Sequence, residues 1–190
     1  MHSKFIKKIF FYNTTLFIFF GLLFLFFPSV DIYFSNFFFV ENQFISEKYT
    51  IIRVFRVYLK NLMILIPLLS LIILFTNFIN KKQNIRKLIN QRTKFALVGL
   101  VIGPILGCGI IANLYFKDTW GRARPVHIEE FGGEKIFTPA FLKSDQCEKN
   151  CSWISGETSA AFSLIVGTIL LKNPIFFLSN VFLGFLVFFL

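Results

Sequence analysis

Between two apolar segments the chain carries Lys117, Arg122 and Arg124 around Trp120 and Gly121, with Pro125 closing the run. Ammonium and guanidinium donors set this close together suit an oxyanion with several oxygens, above all a phosphate. Further along, Ser155 and Gly156 open the next apolar helix. There a hydroxyl, free backbone N–H groups and the positive end of the helix dipole would favour the same anion. The two segments read as two halves of one phosphate site at one depth.

Each of these residues also has a plainer reading. Lys117, Arg122 and Arg124 could form an interfacial cluster whose long side chains snorkel to the headgroups. Ser155 and Gly156 could simply cap the helix that begins near Glu157, a role that uses the same donors. Glu157 stands either as a general acid beside the phosphate or as a carboxylate favoured by the helix dipole. Cys147 and Cys151 flank Glu148-Lys149-Asn150 and could close a small disulfide ring in an oxidising compartment, with free thiols as the alternative. A zinc site needs more ligands than these, and the histidines are His2 and His127. No metal site and no cofactor are expected.

The elements that must position this chemistry are membrane helices. The chain has 190 residues, 55% of them hydrophobic, and a mean hydropathy of +0.67. Apolar runs lie at 9–29, 61–79, 95–116, 158–171 and 175–190, against the roughly 20 residues a helix needs to cross the hydrocarbon. This pattern predicts an all-α, multi-pass transmembrane bundle of about five spans. The 29 Phe residues read as lipid-facing bulk rather than as a cofactor site. Gly99, Gly103 and Gly107 recur every four residues, which strips one helix face and invites close packing. Pro104 within the same run is expected to kink it. Arg53, Arg56 and Lys60 on the stretch Tyr49–Lys60 read as an interfacial amphipathic helix. Capture of a second phosphate or of the sugars of a glycolipid is the more specific alternative there.

Charge placement sets an orientation. The net charge is +10, from 20 basic and 10 acidic residues. With the N-terminus and the 80–94 loop in the cytoplasm, Lys4, Lys7, Lys8, Lys81, Lys82, Arg86, Lys87, Arg92, Lys94 and Lys172 share that side with no acid. Every Asp and Glu then lies on the other side with the remaining bases, as the positive-inside rule expects. Orientation accounts for the basicity, and nucleic acid binding is not expected. The first run reads as an uncleaved signal anchor, because Phe27-Pro28-Ser29 is not a small-x-small cleavage site.

The stretch from Lys117 to Pro125 resembles the first motif of the type 2 phosphatidic acid phosphatase (PAP2) superfamily: Lys, six residues, Arg-Pro. The second motif, usually Pro-Ser-Gly-His, is matched only in its Ser-Gly pair by Ile154-Ser155-Gly156-Glu157. Trp120-Gly121-Arg122, Lys135-Ile136-Phe137, Gln146-Cys147 and Lys149-Asn150-Cys151-Ser152 are similar to the bacterial lipid A phosphatases, the 4′-phosphatase branch in particular. The resemblance implies a phosphoric monoester hydrolase of the bacterial inner membrane, with six helices in an intact member and no metal. It implies that Lys117, Arg124, Ser155 and Gly156 bind the phosphate, while Arg122 lies outside the superfamily motif. Glu157 stands where most members carry a His that protonates the leaving group.

The third motif of the family, an Arg and the nucleophilic His of a phospho-histidine intermediate, has no counterpart in these 190 residues. The expectation is one membrane domain over 1–190, incomplete at its C-terminus, with 117–157 as a periplasmic active-site loop. Its function is removal of a phosphate monoester from lipid A or a related lipid phosphate, crippled unless a separate chain supplies the missing motif. The alternatives are an inactive remnant that binds anionic lipid, or a small multi-pass transport or assembly protein.

Overall fold

The computed structural model describes residues 2–82 and 89–189. Part of the basic 80–94 loop, including Arg86 and Lys87, lies outside the described residues. The first helix, α1 (His2–Phe26), ends at Pro28, whose ring cannot continue it. The chain turns there into α2 (Ser29–Asn36), and Phe10–Phe26 and Ser29–Asn36 meet at a bend of 98°. A two-residue hairpin follows, β1 (Phe39–Val40) and β2 (Gln43–Phe44), paired Phe39 to Phe44 and Val40 to Gln43. Its turn residues Glu41 and Asn42 both have positive φ, 54° and 63°, the geometry whose twist suits so tight a hairpin.

After one turn of helix, α3 (Ile45–Lys48), α4 runs unbroken over Thr50–Lys82 for 33 residues. At about 1.5 Å per residue that is about 50 Å, well beyond the roughly 30 Å of hydrocarbon. Tyr49–Lys60 is therefore not a separate interfacial helix. Arg53, Arg56 and Lys60 ride on the first turns of a long span, because nothing between Lys60 and the apolar run breaks the helix.

The next helix, α5 (Gln91–Pro104), starts at Asn90, whose side-chain oxygen accepts the Thr93 N–H at 2.8 Å. Beyond Pro104 the chain winds more widely, as a π-helix over Ile105–Lys117. Proline has no N–H to give the carbonyl four residues back, and the change of winding begins at that break. The expected kink at Pro104 takes this form, and Gln91–Lys117 still counts as one span.

The last three helices are α6 (Gly156–Ser163), α7 (Ile165–Leu171) and α8 (Pro174–Phe189). The glycine face of α5 and the π-helix lies directly on α6 and α7. A Cβ at Gly99 would come within 2.9 Å of Gly167 Cα, and one at Gly103 within 2.3 Å of the Ser163 carbonyl oxygen. Small residues let the backbones touch, as membrane helices require. Leu59 and Met63 of α4 pack with Ala161 of α6 and Val187 of α8. Asn180 of α8 is buried and gives its amide to the Ala161 carbonyl at 2.8 Å.

The fold is thus an all-α membrane bundle. Among the described residues two helices are long and apolar enough to cross, Thr50–Asn80 and Gln91–Lys117, and the bent first pair makes up to three. The other two apolar helices, Gly156–Leu171 and Pro174–Phe188, are shorter than a full span. All five expected apolar runs are helical, two or three of them of spanning length and the last two shorter.

At one end of the bundle, Arg92 donates to the Leu170 carbonyl at 3.2 Å and to that of Leu171, closing the C-terminus of α7. The opposite end carries the 117–155 segment.

Candidate phosphate site

The 117–155 segment is held by its own backbone. The N–H groups of Ser144, Cys151 and Ser152 donate to the carbonyls of Trp120, Lys117 and Arg122 at 2.9, 3.0 and 2.8 Å. The returning strand can approach this closely only because residue 121 is glycine. Gly121 has φ +71°, and a Cβ there would lie 1.7 Å from the Ser144 carbonyl oxygen. Trp120 donates its indole N–H to the Ala140 carbonyl at 2.9 Å and packs near Phe116 and Trp153. Cys147 and Cys151 are joined in a disulfide, with Cα atoms 5.7 Å apart.

Arg122 does not line the site. It is buried and gives Nε to the Thr138 carbonyl at 2.6 Å and Nη2 to the Asp31 carboxylate, with its guanidinium 5.4 Å from the centre of the Phe137 ring. Arg122 is therefore not among the residues that line either cavity of the site. A guanidinium with that much of its donor set committed ties α2 to the loop instead. Ala123, Ile128 and Phe131 extend the same junction, and Phe131 stacks edge-on against Phe39 and Phe44 of the hairpin at 5.0 and 5.2 Å.

Lys117, Arg124, Ser155, Gly156 and Glu157 do come together. Lys117 ends the π-helix, and its Nζ donates to Asn150 Oδ1 at 3.4 Å. Arg124 donates Nε to the Asn150 carbonyl at 3.0 Å. Asn150 thus links both cations, and it does so in the left-handed conformation at φ 54° that Asn adopts more readily than most residues. Its N–H donates to Asp118 Oδ1 at 3.3 Å. Sequence reading placed Asn150 between two cysteines but gave it no part in the site.

Ser155 is the N-cap of α6, its hydroxyl accepting the Thr158 N–H at 3.3 Å. The first-turn N–H groups of a helix have no acceptor within it, and the first residue of α6, Gly156, lies beside Lys117. A Cβ on Gly156 would sit 3.2 Å from Lys117 Nζ and 2.9 Å from Asn113 Oδ1. Cys108, in the middle of the π-helix, donates its thiol to the Gly156 carbonyl at 3.3 Å and accepts from the Asn113 amide at 3.4 Å. The absence of a side chain at Gly156 leaves room for this close approach. Glu157 accepts from Arg56 of α4, whose Nη2 and Nε lie 3.1 and 3.4 Å from Oε2.

Two cavities meet at Lys117, Arg124, Gly156 and Glu157. One, of about 360 Å³, is the more polar of the two and is also lined by Ser46, Glu47, Arg56, Ser152 and Ser155. The other, of about 710 Å³, runs between α4 and the α5–π-helix span past Lys60, Met63, Pro67, Leu71, Val101 and Ile105. Its walls are mostly hydrocarbon. An amphiphile with an anionic group at the junction would find polar surface on one side and apolar surface on the other. Among the described residues no three His, Cys, Asp or Glu side chains gather as a metal site. His127 is exposed and lines neither cavity.

Along much of its length the chain is similar to known proteins. The family model described as "PAP2 superfamily" matches residues 92–190. The chain is 39% identical over 153 residues to a lipid A 4′-phosphatase of Francisella tularensis subsp. novicida (strain U112), covering 75% of this chain and 63% of that one. It is 32% identical over 149 residues to a lipid A 4′-phosphatase of Rhizobium leguminosarum, covering 71% and 62%. The chain thus spans less than two thirds of the length of these curated relatives. No solved structure matches it. With the family's first motif and the Ser-Gly of its second brought to one point, the chain belongs to the PAP2 superfamily.

Proposed function

We propose that this chain provides the phosphate-binding part of a membrane phosphatase that removes a phosphate monoester from lipid A or a related lipid phosphate. The observation that carries the reading is the meeting of Lys117, Arg124 and the N-terminus of α6 at the junction of a polar and an apolar cavity. Relatives named lipid A 4′-phosphatase support the choice of substrate.

In this reading Lys117 and Arg124 take phosphoryl oxygens, and the first N–H groups of α6 take another. They stabilise the charge that develops as the P–O bond breaks. Glu157 delivers a proton to the leaving oxygen. Catalysis is then mostly positioning and electrostatics, with a histidine nucleophile that family resemblance implies. Among the described residues no histidine lines either cavity.

The basic residues that cluster without any acid around the N-terminus and the 80–94 loop support an inner-membrane protein with this site at the periplasmic face. Arg92 and Lys172 lie together at the end of the bundle opposite the site, as that orientation requires.

A second reading, binding of anionic lipid without turnover, is favoured by the absence of a histidine from both cavities among the described residues. The two are separated in cells. Residues 1–188 joined to the C-terminal third motif and final helices of a lipid A 4′-phosphatase are produced in a bacterium whose lipid A keeps both phosphates. Mass spectrometry should show loss of one phosphate. Unaltered lipid A, with the fusion folded in the membrane, would leave binding alone.

A further inference from the structure

Arg56 reaches the phosphate site from an element that carries none of the family motifs. It stands on α4 one turn before Leu59, and Leu59 and Met63 pack with Ala161 of α6. That packing holds the guanidinium at the polar cavity, which Arg56 lines with Lys117, Arg124, Ser155 and Gly156. Both Nε and Nη2 point at one oxygen, Glu157 Oε2, at 3.4 and 3.1 Å. Among the described residues nothing accepts from its Nη1.

The pair is not sealed. The Arg56 and Glu157 side chains are 36% and 35% exposed, and ion pairs this open hold together weakly. A phosphate monoester carries more charge than a carboxylate and can meet a guanidinium with two oxygens, where Glu157 meets Arg56 with one. Entering the cavity between Lys117 and Arg124, it would compete for Arg56 on favourable terms.

We propose that Arg56 is a further phosphate ligand of this site, exchanging Glu157 for an oxygen of the bound lipid phosphate. The exchange also releases the Glu157 carboxylate from its cation at the moment the phosphate arrives. The inference rests on the phosphate-site reading above, and the experiment separates the two.

The test is isothermal titration of the purified 190-residue chain in detergent micelles with dioctanoyl phosphatidate, using dioctanoylglycerol as the neutral control. Arg56→Gln should weaken binding about tenfold, the scale of one charge-assisted hydrogen bond. Glu157→Gln should tighten it, because the competing carboxylate is gone. The decisive comparison is Arg56→Gln added to Glu157→Gln. That double variant leaves no unpaired charge to unfold the chain, yet it should bind about tenfold more weakly than Glu157→Gln alone. Arg56→Lys in the same background should recover part of the loss. Equal affinity with and without Arg56 in the Glu157→Gln background would overturn the inference, since Arg56 would then serve only to pair with Glu157. If Lys117→Ala and Arg124→Ala weaken binding in that case, the phosphate-site reading survives. If they too have no effect, it falls as well.

Discussion

A Cβ at Gly156 would lie 3.2 Å from the Lys117 Nζ, so the first residue of α6 and the last residue of the π-helix meet in close contact. The ammonium is thereby set at the open N–H groups of the helix, where the dipole is positive and an anion is favoured. Two like-signed ends brought this close make a site for something negative.

Gly156→Ala should push Lys117 out of this position. A methyl group there also meets Asn113 Oδ1 at 2.9 Å, so the crowding cannot be relieved by the lysine alone. The expected effect is about tenfold weaker binding of dioctanoyl phosphatidate, the scale of one displaced charged donor. Thermal stability should change much less. Unchanged affinity would mean that the contact at residue 156 does not hold Lys117 in place.

Arg122→Ala should damage the fold rather than the site. It leaves Asp31 without its cation and the Thr138 carbonyl without its donor, at a cost of about 3 kcal/mol for breaking a largely buried pair. Asp31→Asn should destabilise in the same direction, and the two together should cost less than their sum. Thermal unfolding in detergent reads the loss. A variant that keeps its stability and loses only phosphate affinity would return Arg122 to the list of ligands.

The pieces of the site legible in the sequence were those whose chemistry lies within a short segment. Lys117 and Arg124 share one run, and Ser155-Gly156 announce a helix start. The stripe of Gly99, Gly103 and Gly107 also foretold its packing, since a bare helix face has few uses other than contact with another backbone. Relations between distant elements were not legible. Arg56 and Glu157 are 101 positions apart, and only the packing of α4 on α6 makes them partners. Arg122 looked equivalent to Arg124, but Asp31 on another helix claims it. The role of Asn150 depends on a left-handed backbone that the neighbouring residues do not dictate.

The orientation is testable by reporter fusion. A reporter that is active only in the periplasm should work when fused after Lys143 and stay silent after Gln91. This follows from the cluster of Lys81, Lys82, Arg86, Lys87, Arg92 and Lys94 in the 80–94 loop under the positive-inside rule. The reverse pattern would put the site in the wrong leaflet for the proposed substrate.

The most direct measurement is phosphate release from lipid A by purified protein, comparing residues 1–190 alone, the fusion carrying a relative's third motif, and that fusion with Arg124→Ala. The expected result is negligible release by the first, turnover by the second, and loss of several orders of magnitude in the third, since residues that act as a unit fail together. Robust release by residues 1–190, unaffected by Arg124→Ala, would contradict both the site and its dependence on an external nucleophile.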